Sequence, residues 1–270
     1  MMAKNQTTGS GKWGNPIQLN RQIAYRGEVG RRREIYCTEQ LRYMQTCYKK
    51  IGEDQLEHVR AQGKSISCAK GCDACCRNLF VGATLQECEA IAYYLHRNEA
   101  LLDRFVVRYP FWRESVRNKG DQFIECQKRF ADLLALGPGK TREEAFDEAI
   151  RRHNNQNICC PFLEDSLCAI YECRPANCAG FFVTSPPALC EPVRTGEPGL
   201  NPEYTLTHIE DVVNDTTFYY QSLKHPVTLY TPVAVYRILE EGYVYLNQFA
   251  GLRGIKQAAL NDPEVRAIIH

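Results

Sequence analysis

The chain has 270 residues, of which 44% are apolar and 24% charged, and its 33 basic and 32 acidic residues leave a net charge of +1. A chain of this length buries enough surface to fold without disulfide bonds. Because the charge is balanced overall, the composition excludes a global basic field, and we expect no nucleic-acid partner.

Basic residues concentrate in the N-terminal stretch, residues 1–33. This stretch carries seven Lys and Arg residues against one Glu and is rich in Gly, Asn, Gln and Thr. We therefore expect a basic, partly disordered arm. The stretch has no apolar segment after a basic start, and no window of about 18 apolar residues occurs elsewhere. These patterns predict a cytoplasmic protein without a membrane partner.

Residues 34–183 are predicted to form a helical cysteine-cluster domain. Apolar residues recur at helical spacing from Arg31 to Gln62, which predicts one or two amphipathic helices with Gly52 as a weak point. Thr84 followed by Glu87 has the pattern of a capping box and predicts the start of another helix. This helix would directly follow the first cysteine-rich loop.

Further helices are predicted in the middle of the chain. One covers Leu101–Val116 and should bend or break at Pro110. A second covers Phe123–Leu136, and Thr141 with Glu144 has the pattern of another capping box. The middle third is thus predicted to be a helical insert between two cysteine-rich loops.

A stretch rich in proline and glycine, residues 184–202, is predicted to be a long surface loop. It leads into a predicted C-terminal helical subdomain, residues 203–270. Thr231-Pro232 and Asp262-Pro263 are typical helix starts, and Gly242 is a typical helix end. No internal repeat is apparent.

Nine of the 14 cysteines lie in two short windows. They are Cys68, Cys72, Cys75 and Cys76 in the first, and Cys159, Cys160, Cys168, Cys173 and Cys178 in the second. In a chain without a signal peptide, this density indicates reduced thiols that bind metal. Short loops can turn several thiolates toward a soft or borderline metal, and Gly71 permits a sharp turn. We expect the two windows to be halves of one site.

The kind of centre stays open at this point. Adjacent cysteines point poorly at a single ligand position, so Cys75-Cys76 indicates either one ligand and a bystander or a polynuclear centre. Zinc would take four thiolates and stabilise the fold, and a [4Fe–4S] cluster would also take up to four. Three nearby cations could stabilise an anionic centre or form ordinary ion pairs; they are Lys70, Arg77 and Arg174.

The expected fold class is mainly α, with irregular cysteine-rich metal-binding loops brought together by a helical domain. Four cysteines lie singly in helical patterns and are predicted to be core residues: Cys37, Cys47, Cys88 and Cys126. The six histidines show no paired metal-ligand spacing, and no Ser-His-Asp or phosphate-loop pattern occurs. The sequence therefore assigns no catalytic residue.

The cysteine pattern resembles that of the YkgJ-type family, also called CxxCxxCC, which is described as a zinc- or iron-chelating domain and is related to flagellin lysine-N-methylase. The likeness runs from about residue 66 to 182 and rests on C-x3-C-x2-C-C followed by CPFL, CAIYECRP and a final cysteine. Cys159 and Cys173 fall where the family usually has other residues, and Ala179 falls where it often has arginine. The resemblance implies the metal ligands Cys68, Cys72, Cys75, Cys76, Cys160, Cys168 and Cys178.

Three functions follow as expectations. The first is an iron–sulfur protein, holding a [4Fe–4S] cluster in a redox or cofactor-binding role. The second is a zinc-stabilised scaffold whose surfaces bind a protein partner. The third, by resemblance alone, is a protein lysine methyltransferase that uses S-adenosylmethionine. The chain has no strand followed by G-x-G-x-x-G that would support a conventional nucleotide-binding methyltransferase.

Overall fold

The structure is a computed structural model, and it describes residues 15–68, 71–78, 81–118, 158–184, 204–206 and 228–270. In these ranges the chain is mainly helical, as expected, with three two-stranded antiparallel sheets. The helices predicted at Phe123–Leu136 and at Thr141 lie outside the described residues. So does nearly all of the loop predicted at 184–202.

Helices occupy much of the stretch where a disordered arm was expected. Helix α1 (Pro16–Ile23) is capped by Asn15, whose side chain accepts the backbone N–H of Ile17 at 2.9 Å. Its apolar face is buried, and helix α2 (Gly27–Tyr43) follows after a short turn. From Pro16 onward this stretch is therefore part of the packed fold, and residues 1–14 lie outside the described residues.

Helix α2 continues through a π-helical segment, Met44–Tyr48, into helix α3 (Lys49–Ala61). Gly52, the predicted weak point, lies inside the regular helix α3. The departure from α-helical geometry occurs in the π-helical segment instead. A π turn inserts an extra residue into the helix and so rotates the side chains that follow it. Here Met44 and Tyr48 are both turned into the core.

Helix α5 (Leu85–Arg97) begins at the predicted capping box, which is confirmed with both reciprocal hydrogen bonds between Thr84 and Glu87. A short helix, α4 (Ala74–Asn78), precedes it in the first cysteine-rich loop. Helix α6 (Glu99–Asn118) follows α5 and runs without interruption through Pro110, where a bend or break was expected. Pro110 is exposed, so water can serve the carbonyl group whose helical hydrogen bond is lost.

The C-terminal helices start and stop close to their sequence signals. Helix α8 begins at Thr231, one residue earlier than its predicted first helical residue, and ends at Gly242, which has a φ of 53°. Asp262 caps the last helix by accepting the N–H of Glu264 at 2.9 Å, as predicted. The elements are α7 (Ala176–Ala179), α8 (Thr231–Glu241), α9 (Tyr243–Leu246), α10 (Ile255–Asn261) and α11 (Pro263–Ile269).

The strands are short and were not predicted. Strand β1 (Gly82–Thr84) pairs with β6 (Thr228–Tyr230), with Ala83 opposite Leu229. The other two pairs are β2 (Leu163–Glu164) with β3 (Leu167–Cys168), and β4 (Phe181–Val183) with β5 (Tyr204–Leu206). Strands β1 and β6 lead directly into helices α5 and α8, whereas β2, β3 and β4 lie within the second cysteine window or just after it.

Helix α5 lies at the centre of the core, between α2 and α8. A buried ion pair joins α2 to α5, with Arg33 Nε 2.5 Å from Glu89 Oε1. Arg33 also donates to the carbonyl oxygen of Ala24, which accepts the hydroxyl of Tyr243. Removing one member of such a pair leaves a buried charge and costs about 3–5 kcal/mol. In the described part of the chain, no helix is both long and apolar enough to cross a bilayer.

Candidate metal centre

The two cysteine-rich segments lie against each other. We define the first segment as residues 67–78, of which 69–70 lie outside the described residues, and the second segment as residues 158–184. The backbone N–H of Cys160 donates to the carbonyl oxygen of Cys76 at 2.6 Å. The N–H of Ser67 donates to Val183 O at 2.8 Å, and the N–H of Val183 donates to Cys68 Sγ at 3.3 Å. The two segments therefore pack against each other.

Local geometry in the first segment brings its cysteines close together. Gly71 has a φ of 82°, which a residue with a side chain adopts only at a cost. Helix α4 then carries Cys75 and Cys76 in a single turn. The sharp turn expected at Gly71 is thus present between Cys68 and the helix.

The second segment presents its cysteines from a tight hairpin and a short helix. Asp165 and Ser166 both have positive φ, at 47° and 62°, and form the two-residue turn between β2 and β3. Strand β3 ends at Cys168, and helix α7 carries Cys178. Phe162 anchors this segment, since its ring stacks on Phe105 of α6 with centroids 4.5 Å apart.

Cys75 is the thiol with which five of the other cysteines interact electrostatically. Cys72 belongs to the group through its interaction with Cys68. The thiols that interact electrostatically with Cys75 come from both segments and are those of Cys68, Cys76, Cys160, Cys168 and Cys178. All seven cysteines that the YkgJ resemblance implies are therefore neighbours in the fold.

Burial and neighbouring thiols raise the pKa of several cysteines in the group. Burial raises the pKa of Cys160, and the neighbouring thiols raise it further. Burial likewise raises the pKa of Cys168 and of Cys178, whereas the pKa of Cys75 is raised first by its hydrogen bond with Cys76. A metal ion bound here would have to displace protons, so its affinity would fall as the pH is lowered.

Backbone N–H groups lower the pKa of three of the cysteines, in opposition to burial. They are the N–H of Val183 on Cys68, that of Phe162 on Cys160 and that of Ile170 on Cys168. Hydrogen bonds of this kind favour the thiolate, the form that binds metal. The site therefore contains groups that would stabilise a cysteinate centre once the protons had left.

Arg174 is a cation whose charge acts on three of the thiols. Its charge lowers the pKa of Cys68, Cys168 and Cys178, against the larger effect of burial. Its guanidinium lies over the ring of Tyr171, 4.3 Å from the centroid. Of the two uses expected for Arg174, the structure supports charge balance at the cysteines.

Arg77 has a different role, as an ordinary ion pair within the first segment. It contacts Asp73 Oδ2 through Nη2 at 2.6 Å, and Asp73 is almost fully buried. Ser166 of the second segment donates to the same carboxylate oxygen at 2.8 Å. Arg77 also reaches Cys159 Sγ at 4.0 Å. Asp73 is thus a second link between the two segments, and Lys70 lies outside the described residues.

The remaining cysteines differ in environment. Cys37 and Cys88 are buried in the core, as predicted, whereas Cys47 is only partly buried. Cys173 is fully buried beside Cys168, and burial raises its pKa. Cys159 is exposed. Cys126 and Cys190 lie outside the described residues.

The donor set fits a soft or borderline metal, since every candidate ligand is a thiol. Among the described residues, no three His, Cys, Asp or Glu side chains are placed closely enough to hold a metal ion as they stand. A cysteine sulfur is one rotatable bond from the backbone, so a rotamer change repositions it without moving the fold. Metal coordination would therefore require side-chain rotation within the group.

Glu87 lies beside this group and was predicted from the sequence only as a capping residue. Its side chain is 2% exposed. Its Oε1 accepts the hydroxyl of Tyr48 at 2.9 Å and the N–H of Ala176 at 2.8 Å. Its Oε2 accepts the N–H and the hydroxyl of Thr84 at 2.7 and 3.0 Å. Because Tyr48 and Ala176 are distant in the chain, no local signal identifies their contact with Glu87.

Comparisons of this chain with protein-family models, curated proteins and solved structures find no match. The resemblance to the YkgJ-type family thus stays a prediction from the cysteine pattern.

Proposed function

We propose that this protein binds an iron–sulfur centre through cysteines of both segments and uses it in a redox or cofactor-binding role. The observation that carries the proposal is the grouping of seven thiols from two distant stretches of chain around Cys75. The residues that would supply the ligands are Cys68, Cys72, Cys75, Cys76, Cys160, Cys168 and Cys178.

Two features of the group favour an iron–sulfur centre over a single zinc ion. One zinc ion needs four thiolates that converge on one point. Here the adjacent residues Cys75 and Cys76 are both in the group, and a polynuclear centre offers separate metal atoms to neighbouring sulfurs. Hydrogen bonds to the sulfurs and nearby charge are also the means by which proteins adjust iron–sulfur clusters.

The surrounding residues have distinct tasks in this proposal. The N–H groups of Phe162, Ile170 and Val183 would stabilise three of the cysteinates, and Arg174 would offset part of their charge. Cys68 and Cys72 are exposed, so this edge of the site faces solvent. When bound, an iron–sulfur cluster supplies one-electron chemistry or an iron atom that can bind a cofactor.

The first experiment is anaerobic purification of the full chain from iron-supplemented cells. Iron, zinc and acid-labile sulfide are then measured together with the visible absorption spectrum. We expect iron and sulfide in near-equal amounts, about four of each per chain for one [4Fe–4S] centre. Cys75→Ser should lose most of the iron, and Cys47→Ser, which alters a cysteine outside the group, should keep it.

Two other results would overturn this proposal. One or two zinc ions per chain without sulfide would make the protein a zinc-stabilised scaffold. A protein that contains neither iron nor zinc would show that there is no such metal centre. Equal iron in the wild type and Cys75→Ser would show that the iron is bound elsewhere.

A further inference from the structure

Glu87 makes more contacts than a helix cap requires. A capping glutamate needs one carboxylate oxygen to accept the backbone N–H of the capping residue, and Oε2 does this for Thr84. The other oxygen, Oε1, accepts from Tyr48 at the end of the π segment and from Ala176 at the start of α7. Glu87 therefore joins three parts of the chain at one buried point.

We propose that Glu87 is a positioning residue of the cysteine centre, which fixes the turn that carries Cys178 and keeps a negative charge beside that thiol. This inference rests on the proposed metal centre. Ala176 is the first residue of α7, and Cys178 lies within the same four-residue helix. The hydrogen bond from the Ala176 N–H to Glu87 therefore helps to fix the backbone position of Cys178.

A second contact holds the same short helix. Asn177 Nδ2 donates to the carbonyl oxygen of Gly82 at 2.7 Å, on strand β1. Helix α7 thus makes two hydrogen bonds to its surroundings. Ala176 bonds to the side chain of Glu87, and Asn177 bonds to strand β1, which leads into α5. A helix of four residues has little stability of its own, so these two hydrogen bonds, together with the burial of Ala176 and Ala179, hold it in position.

The charge on Glu87 follows from its hydrogen bonds. Its two oxygens accept from four donors, and a protonated carboxyl group would lose acceptor capacity at one of them. All four donors are uncharged groups. Glu89, two residues along the same helix, is instead paired with Arg33. Glu87 therefore adds a negative charge in a buried environment, and that charge interacts with Cys178.

Glu87 and Glu89 form a matched pair for an experiment. Both are buried, both lie on α5, and either substitution by Gln disturbs a buried hydrogen-bond network. Glu87 contacts the segment that carries Cys178 through the N–H of Ala176, whereas Glu89 is paired with Arg33 of α2. The readouts are the rate of iron loss to a chelator and the midpoint reduction potential of the reconstituted protein, with circular dichroism used to confirm a folded sample.

We expect Glu87→Gln to lose iron about 10–100-fold faster than wild type, as for other residues that support a metal ligand. We also expect its potential to become more positive, because removal of a nearby negative charge favours the reduced centre. Glu89→Gln should leave both properties unchanged even where it lowers thermal stability. A merely structural role would not move the potential.

Tyr48→Phe is a second variant that tests the same inference if Glu87→Gln does not fold. This variant removes one donor to Oε1 and leaves the charge of Glu87 in place. Iron loss should become faster, and the potential should not become more positive. The inference would be overturned if Tyr48→Phe lost iron at the wild-type rate. It would also be overturned if Glu87→Gln and Glu89→Gln had the same rate of iron loss and the same potential, since Glu87 would then be a helix cap only.

The experiment distinguishes refutation of the iron–sulfur proposal from refutation of the role inferred for Glu87. Wild-type protein that holds zinc without sulfide would refute the iron–sulfur proposal, and chelator extraction of zinc from the same variants would still decide the role of Glu87. Wild-type protein that holds no metal would overturn both.

Discussion

His96 is a buried titratable residue in the last turn of α5. A helix C-terminus favours a protonated histidine by about 0.3–1 kcal/mol at an exposed site. Burial, together with the charges of Arg33 and Arg21, outweighs this and lowers the pKa of His96 to about 3. Within the described residues, its Nδ1 has no hydrogen-bond partner. His96 is therefore neutral in the fold at any pH at which the protein is handled.

Neutral His96 makes stability depend on pH. An unfolded histidine takes up a proton near pH 6.5, whereas the folded one does so only near pH 3. Between these values the unfolded state binds the extra proton, so the free energy of unfolding falls as the pH is lowered, by up to about 1.4 kcal/mol per pH unit. Urea unfolding at pH 7, 6 and 5 should show that His96→Gln loses less stability than wild type over this range.

The exposed His58 provides the control for this measurement. His58→Gln should follow the wild-type dependence on pH. Equal slopes for wild type and His96→Gln would contradict the assignment of His96 as a buried neutral base.

At the scale of elements, several helix boundaries in the described ranges depend on single residues at their ends. Gly242 ends α8 with a φ of 53°, and a Cβ atom built on it would lie 2.6 Å from Asn20 Oδ1. The amide of Asn20 donates to the carbonyl oxygens of Leu239 and Glu240, the last turn of α8. Gly242 therefore permits α1 to cap the C-terminal end of α8.

Gly242→Ala should destabilise the fold more than Gly254→Ala. Gly254 is in the left-handed region, which costs a residue with a side chain roughly 1–2 kcal/mol, and Gly242, with a ψ of −122°, is in a region that such a residue adopts even less readily. A Cβ at Gly254 meets no atom within 4 Å, so that variant measures the backbone cost alone. Gly242→Ala adds the clash with Asn20, and we expect a total loss of about 2–4 kcal/mol in chemical unfolding. Equal losses in the two variants would show that Asn20 moves aside without cost.

The helix boundaries that could be predicted from the sequence are those with a local chemical cause. Thr84, Gly242 and Asp262 act within a few residues of themselves, and each was confirmed. The strands could not be predicted, because two or three residues are too few to show an alternating pattern. The partner of strand β1 is also remote, since it follows more than 140 residues later. Separation in sequence likewise conceals the contacts of Glu87 with Tyr48 and Ala176.

At the scale of the whole molecule, the core and the cysteine group are continuous. Phe162 and Ile170 of the second segment belong to the same buried cluster as Leu85 and Ile91 of α5. The structure places the two cysteine windows side by side, and their use as one metal site stays a prediction from the sequence. The arrangement around Cys75 depends on the packing of α5 and could not be predicted from spacing.

One cysteine substitution in either segment should release metal if the two segments share one centre. Cys72→Ser and Cys168→Ser should each hold less than half the wild-type metal, and each should unfold at a lower temperature. A ligand at 100 times its dissociation constant stabilises a fold by about 2.7 kcal/mol, and that contribution would be lost. Elemental analysis and thermal unfolding of both variants test this, with Cys47→Ser as the control. Full metal retention in both variants would refute a shared centre.

The pairing of β1 with β6 also has a consequence for how the protein is made. Ala83 lies just after the first four clustered cysteines, and its partner Leu229 leaves the ribosome much later. At about 5–20 residues per second, the interval is roughly 7–30 s. During that time strand β1 has no partner to pair with, and the first segment waits for it while translation continues. Assembly of the proposed centre would therefore take place at the end of translation or after it, when β6 has joined the nascent fold.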